Sequence, residues 1–397
     1  MFHLQLSKTQ YLIIFLTGII LLSVIISAQA YLQGGKTCKE DGPVYTRYNN
    51  YVIFTAAAKH LGDGSDLYKA YPAEHWDLFK YSPAFALFMS GFAALPDLAG
   101  LILWNLLNLL VLMLALRRLI NLSGWKILLF ILIFIPELVS TTQNSQSNAL
   151  IAGLLLLSFY SLEKKNIAIG SLLIVTTIFI KIFGIVALLL FLLYPQKLKA
   201  ASWTLVWILV FTFLPLVSTP FPVLMQQYAS WWELLQNDHA GSIGISVAGW
   251  LHSWFGWNLK NTVLLTGTII LLAPLLNLKA FNNPSFRKLL LSSILIWIVI
   301  FNHKAESPTF IIAITGIVLW FFMKPRTGLD TTLLFIAMIF TSLITTDLFP
   351  ADFRLYYVKA YAIKAVPCIL IWLKITFELL TFKNADSNRP ISSETGS

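Results

Sequence analysis

Long apolar runs separated by short polar turns dominate this chain. The first run covers residues 11–26. Later runs cover residues 98–116, 125–140, 148–162, 166–180, 182–195, 203–218, 261–278, 288–302, 308–323, 331–346 and 359–380. Crossing the hydrocarbon core takes about 20 apolar helical residues, and the pattern predicts about twelve transmembrane spans. Residues 166–195 form one apolar stretch, which we divide at Lys181 because a charge at the bilayer centre is costly. Residues 83–95 are apolar but stop at Pro96, so they predict a short interfacial or half-inserted helix. Residues 49–61 carry Ile53, Ala57 and Leu61 at helical spacing. They predict an amphipathic helix on the membrane surface, capped by Asn49 or Asn50 and ended by Gly62-Asp63-Gly64. Residues 218–260 read as an outer loop. The expected fold is an all-α bundle, with residues 1–380 as one integral membrane domain and 381–397 as a polar tail.

Composition agrees with lipid as the main solvent: 57% of the 397 residues are hydrophobic and 12% are charged. Soluble domains carry about 25% charge. The net charge of +10 does not argue for nucleic acid, because Lys and Arg sit in short turns between apolar runs. With a cytoplasmic N-terminus, the cytoplasmic turns receive Arg117, Arg118, Lys126, Lys164, Lys165, Lys197, Lys199, Lys279, Arg287, Lys288, Lys324 and Arg326. The outer turns receive few cations, which fits the positive-inside rule. Both termini are then cytoplasmic, in a cell membrane. Counting 83–95 as a full span would reverse Arg117, Arg118, Lys164 and Lys165. Ala28-Gln29-Ala30 resembles a signal-peptidase site, but an uncleaved first helix is the preferred expectation. Cys38 and Cys368 supply no disulfide framework.

The same topology gathers the unusual polar residues on the outer face. The first outer segment holds Glu40, Asp41, Asp63, Asp66, Glu74 and Asp77, six of the eighteen acids, balanced by six cations. Other outer features are the run from Thr141 to Asn148, Lys181, Trp231-Trp232, and Asn302-His303-Lys304-Ala305-Glu306. Each has an ordinary explanation: solvation, a polar turn, a snorkelling lysine, an interfacial aromatic anchor or a local ion pair. Their conjunction points to chemistry. Amides suit sugar hydroxyls, cations suit a phosphate, and an acid suits deprotonation of an acceptor hydroxyl. No P-loop, GxSxG, HExxH or metal-type Cys/His cluster occurs, so no cofactor is expected.

The residues Gly64-Ser65-Asp66-Leu67-Tyr68, Tyr81-Ser82-Pro83, a Leu-Pro break before the Trp104 helix, Gln146-Ser147-Asn148 and Lys181 together resemble glycosyltransferase family 87. The likeness is strongest over about residues 40–195. It implies a GT-C-type fold with juxtamembrane helices in the first extracytoplasmic loop, residues 31–97. It also implies transfer of a mannose-like hexose from a polyprenyl-phosphate sugar to a lipid-linked or envelope glycan at the outer leaflet. The family usually carries an Asp just before the juxtamembrane helix, where this chain has Asn49-Asn50. An amide cannot serve as general base, so Asp41 and Glu306 are the candidates, with Asp41 slightly ahead. Arg47, Lys181, His303 and Lys304 are candidates for the donor phosphate. Asn49, Asn50, Tyr81, Gln146 and Asn148 are candidates for the sugar or acceptor. A flippase or transporter of a lipid-linked saccharide, and an inactive polyprenyl-lipid scaffold, stay open beside the enzyme.

Overall fold

The structure is a computed structural model that describes residues 8–37, 42–120, 122, 124–240, 243–323 and 326–383. It is all-α apart from one small antiparallel hairpin, in which Lys36 pairs with Tyr45 and Thr37 with Val44. Among the described residues, four helices are long and apolar enough to cross a membrane: Ile13–Leu32, Asp97–Leu119, Trp125–Gln143 and Lys197–Val217. All four coincide with expected spans. The other expected spans are also helical, but shorter.

The chain divides into two compact units. The first comprises Met1–Ile185, Leu198–Ser242 and Glu306–Ile312. It contains α1 (Lys8–Leu32), α2 (Asn49–Asp63), α3 (Pro83–Ala93), α4 (Asp97–Leu119), α5 (Trp125–Gln143), α6 (Asn148–Glu163), α7 (Ile167–Ile180), α8 (Lys197–Phe213) and α9 (Phe221–Ala240). α1 is stitched to α4 by the Ser23 hydroxyl on the Ile102 carbonyl at 2.8 Å and by Asn105 Nδ2 on Ser27 Oγ at 2.9 Å. Such interhelical bonds hold helices together where apolar surface gives no preference. α4 and α6 pack so closely at Gly153 that a side chain there would meet the backbone of Val111 and Leu112.

Four expectations need correction here. α2 starts where the pattern places it, but neither Asn caps it. Tyr48 stands at the N-cap without a side-chain bond, because both amides are drawn to tertiary partners. α2 is also more than half-buried, with Tyr51, Ile53–Ala58, His60 and Leu61 enclosed, so it is no one-sided surface helix. Its end is as predicted, at Gly64 in the left-handed region with φ +73°. The 218–260 stretch is not a loop: α9 and α10 (Val247–Phe255) fill most of it. Finally, residues 182–193 are 3₁₀-helical rather than α-helical. Gly184 lies against Thr177, a close approach that a tighter winding with no Cβ permits.

The second unit comprises Val186–Lys197, Ile243–Ala305 and Ala313–Ser397. It holds α10, α11 (Lys260–Leu272), α12 (Pro284–Ile300), most of α13 (Phe310–Phe322), α14 (Gly328–Ala337), the single turn α15 (Ala351–Phe353) and α16 (Ala365–Leu380). Its polar centre is an ionic cluster. Arg326 lies 3.5 Å from Glu378 and 3.9 Å from Asp330, and Lys374 lies 3.1 Å from Glu378 and 3.7 Å from Asp330. Trp320 stacks under the Arg326 guanidinium and donates to Glu378. Buried charges survive when paired in this way. The cluster ties the turn before α14 to the last turns of α16.

Candidate active site

The candidate site lies wholly in the first unit and begins with a strained turn. After α5 the chain reverses through Asn144 and Ser145, and Ser145 takes φ +52°, a region sparsely used by non-glycine residues. Two long-range bonds hold that turn. Trp104 Nε1 of α4 donates to the Ser145 carbonyl at 2.8 Å, and Asn50 Nδ2 of α2 donates to the Asn144 carbonyl at 2.8 Å. The next residues, Gln146 and Asn148, are thereby presented as a pair at the start of α6.

Both amides face Lys181. Its Nζ donates to Asn148 Oδ1 at 2.9 Å and to Gln146 Oε1 at 3.4 Å. Asn148 Nδ2 donates to Gln146 Oε1 at 2.6 Å and to the Pro308 carbonyl at 3.1 Å. Gln146 Nε2 donates to Glu306 Oε2 at 3.2 Å. The two ends of the Gln146 amide are therefore assigned by their partners, with the carbonyl toward the ammonium and the NH₂ toward the carboxylate. Lys181 itself stands in the break between α7 and the 3₁₀ segment, with extended backbone at φ −140° and ψ 124°. The sequence division at Lys181 is thus a real break in the helix.

Aromatic rings wall the ammonium. It lies 5.7 Å from the Tyr81 ring centroid and 5.8 Å from that of Phe183, the range of cation–π attraction. Tyr81 is fixed by the residue that follows it: Ser82 Oγ donates to the Phe179 carbonyl at 2.6 Å and also accepts from Phe85 N to cap α3. Burial, reinforced by the Glu306 carboxylate, holds the Tyr81 phenol above its usual range. Tyr68 supports it from below, with its hydroxyl on the Tyr81 carbonyl at 2.9 Å.

The Gly64–Tyr68 turn is the footing of that support. Asp66 Oδ1 accepts from Tyr68 N at 3.0 Å, and Asp66 Oδ2 accepts from the Ser230 hydroxyl at 3.1 Å. Gln227 of α9, buried at 2% exposure, accepts from Leu67 N at 3.0 Å and donates to the Ser65 carbonyl at 2.7 Å. Nothing in the sequence marked Gln227, since its partners lie about 160 positions away. Replacing Gln227 by Leu leaves a buried N–H and a carbonyl unpaired, each costing about 1–3 kcal/mol. We expect Gln227→Leu to lower the thermal unfolding midpoint of the detergent-purified protein. An unchanged midpoint would show that α9 does not hold this turn.

The other sequence candidates fall differently. Asn49 lies apart from that cluster, and its Oδ1 accepts from Trp76 N at 3.1 Å. Asn50 is spent on the Asn144 carbonyl and acts as a brace. Arg47 is exposed on the turn before α2. Asp41 lies outside the described residues. His303 and Lys304 belong to the second unit. There His303 lines a small cavity with Ser246, Lys260 and Phe301, and Lys304 N donates to Asn302 Oδ1. Five candidates, Tyr81, Gln146, Asn148, Lys181 and Glu306, are thus brought together.

A model of glycosyltransferase family 87 matches residues 79–346. The chain belongs to glycosyltransferase family 87. It is accordingly a glycosyltransferase, and its apolar helices make it a membrane protein. No curated protein matches the chain. The family 87 match begins later than the sequence likeness and runs further. It includes all five clustered residues and leaves Asp41, Arg47, Asn49 and Asn50 before its first position.

Proposed function

We propose that this family 87 enzyme takes a mannose-like hexose from a polyprenyl-phosphate donor and passes it to a hydroxyl of a lipid-linked or envelope glycan. The proposed setting is the extracytoplasmic leaflet of the cell membrane, with a GT-C-type bundle of about twelve spans and both termini cytoplasmic. Residues 1–380 would form the single membrane domain, 381–397 a polar tail, and no cofactor is invoked.

The observation that carries this reading is the state of Lys181. An ammonium has three N–H donors, and two of them are aimed at the amides of Asn148 and Gln146. The third is left for a ligand anion. A cation held by neutral amides, rather than cancelled in a close ion pair, attracts a phosphate strongly in apolar surroundings. Charge develops on that phosphate as the glycosidic bond breaks, which is where a preorganised donor accelerates reaction. The neighbouring amides and the Tyr81 ring offer hydrogen bonds and a flat face to a sugar.

The test is release of polyprenyl phosphate by purified protein given a panel of polyprenyl-phosphate hexoses and glycan acceptors. Release with at least one hexose supports the reading. Binding of polyprenyl phosphate without turnover on any donor would favour a lipid-binding scaffold, and movement of an intact lipid-linked saccharide across vesicles would favour a flippase.

A further inference from the structure

We infer that Glu306 is the general base of the transfer and that Gln146 positions it. This rests on the polyprenyl-phosphate reading above. Glu306 is the carboxylate bonded to the amide that also receives Lys181, so one side chain links the base to the phosphate-binding cation. Among the five clustered residues it is also the accessible one: Glu306 is exposed, whereas Tyr81, Gln146 and Asn148 are buried and Lys181 is half-buried. An acceptor hydroxyl arriving from the aqueous side meets the carboxylate, while the lipid phosphate meets the ammonium.

The backbone beneath Glu306 is fixed on both sides. Its own N–H donates to Thr309 Oγ1 at 3.3 Å, and the Pro308 carbonyl two residues on accepts from Asn148. Glu306 opens the 3₁₀ turn Ser307–Thr309 in a capping-box arrangement, and Pro308 at its first turn removes conformational freedom. A base needs to be held within hydrogen-bond reach of the proton it removes, and this anchoring supplies that. Lys181 and Tyr81 lie within electrostatic reach of the carboxylate, and His303 and Lys304 precede it in the chain.

The step balances without a further reactant. The acceptor oxygen attacks C1 of the sugar as its proton passes to the Glu306 carboxylate. The bond from C1 to the phosphate oxygen breaks, and its electron pair leaves on polyprenyl phosphate beside Lys181. Glu306 then returns the proton to water. The carboxylate meets the NH₂ and the ammonium meets the carbonyl of the same Gln146 amide, so the proposed base and the phosphate-binding cation stand one amide apart.

The experiment uses the full-length protein in detergent or nanodiscs, with a polyprenyl-phosphate hexose that the parent turns over. Glu306→Gln should lower turnover by roughly 10²–10⁴-fold while polyprenyl phosphate binds as it does to the parent. Glu306→Asp should recover part of the loss. Gln146→Ala removes the amide that holds the carboxylate, so it should lower turnover more than it lowers polyprenyl phosphate binding, and Gln146→Asn, which keeps an amide, should recover part of the loss. Turnover of Glu306→Gln at the parent rate overturns the assignment, as does a loss of turnover matched by equal loss of polyprenyl phosphate binding. Parent-like turnover in Gln146→Ala removes the positioning role. If the parent releases no polyprenyl phosphate from any donor, the reading beneath the assignment has failed, and that is seen before any variant is made.

Discussion

Lys181→Ala should cut glycosyl transfer by roughly 10²–10³-fold, the loss typical of removing one preorganised donor from a developing oxyanion. The ammonium is bonded directly to the amide pair and lies beside the Tyr81 and Phe183 rings, so its charge acts next to apolar surfaces. Binding should suffer too. A charge-assisted bond is worth about 1.5–3 kcal/mol, so affinity for polyprenyl phosphate should fall by about 10–100-fold. Lys181→Met keeps the chain length and fills the aromatic cleft, and should match the alanine variant if charge is what counts. Lys181→Arg is no safe replacement, because a planar fork cannot direct its donors to Asn148 and Gln146 as a compact ammonium does. Parallel measurement of turnover and polyprenyl phosphate binding decides the case. Parent-like binding in both Lys181→Ala and Lys181→Met would mean that the side chain only reaches toward headgroups.

Those five residues show what a single sequence makes legible. Lys181 announced itself because a charge inside a long apolar run demands a reason, and Gln146 and Asn148 because amides crowd one short turn. Gly64 was visible as a helix stop, and the four longest spans as unbroken apolar runs. What could not be read was partnership. The bonds from residue 146 to 306 and from 67 to 227 each cross about 160 positions, and no periodicity encodes them. The same blindness explains Asn49 and Asn50. Both are good caps by residue type, yet Trp76 and Asn144 claim their side chains. α9 was missed for another reason: Gln226, Gln227, Glu233 and Asp238 interrupt an apolar pattern, which reads as a loop until a buried partner for one polar face is known. The shift from α to 3₁₀ after Lys181 brings Gly184 against Thr177, a contact that the apolar pattern does not announce.

The largest effect on stability should come from Gly153, in the α4–α6 contact. In an open helix, Gly→Ala gains about 1 kcal/mol. Here the added Cβ would sit 2.7 Å from Leu112 N and 2.8 Å from the Val111 carbonyl carbon. Those are backbone atoms, so no rotamer change can relieve the contact and the two helices must separate. Overpacking of this kind costs about 1–3 kcal/mol, and small residues are what allow helix backbones to approach in a membrane protein. Separation also strains the bond from Leu150 N to Asn108 Oδ1, at 3.0 Å, and the reach of Trp104 to Ser145. Gly153 lies on the same helix as Asn148, so the amide would be drawn away from Lys181. Gly153→Ala should therefore unfold at lower temperature in detergent and lose more turnover below that transition than its unfolded fraction explains. Gly153→Val should be worse. Gly91→Ala is the matched control: Gly91 is exposed in α3 with nothing within 4 Å of the new Cβ, and it should be tolerated or stabilising. If Gly153→Ala were as stable and active as Gly91→Ala, α4 and α6 would not be in the close contact on which the placement of Asn148 depends.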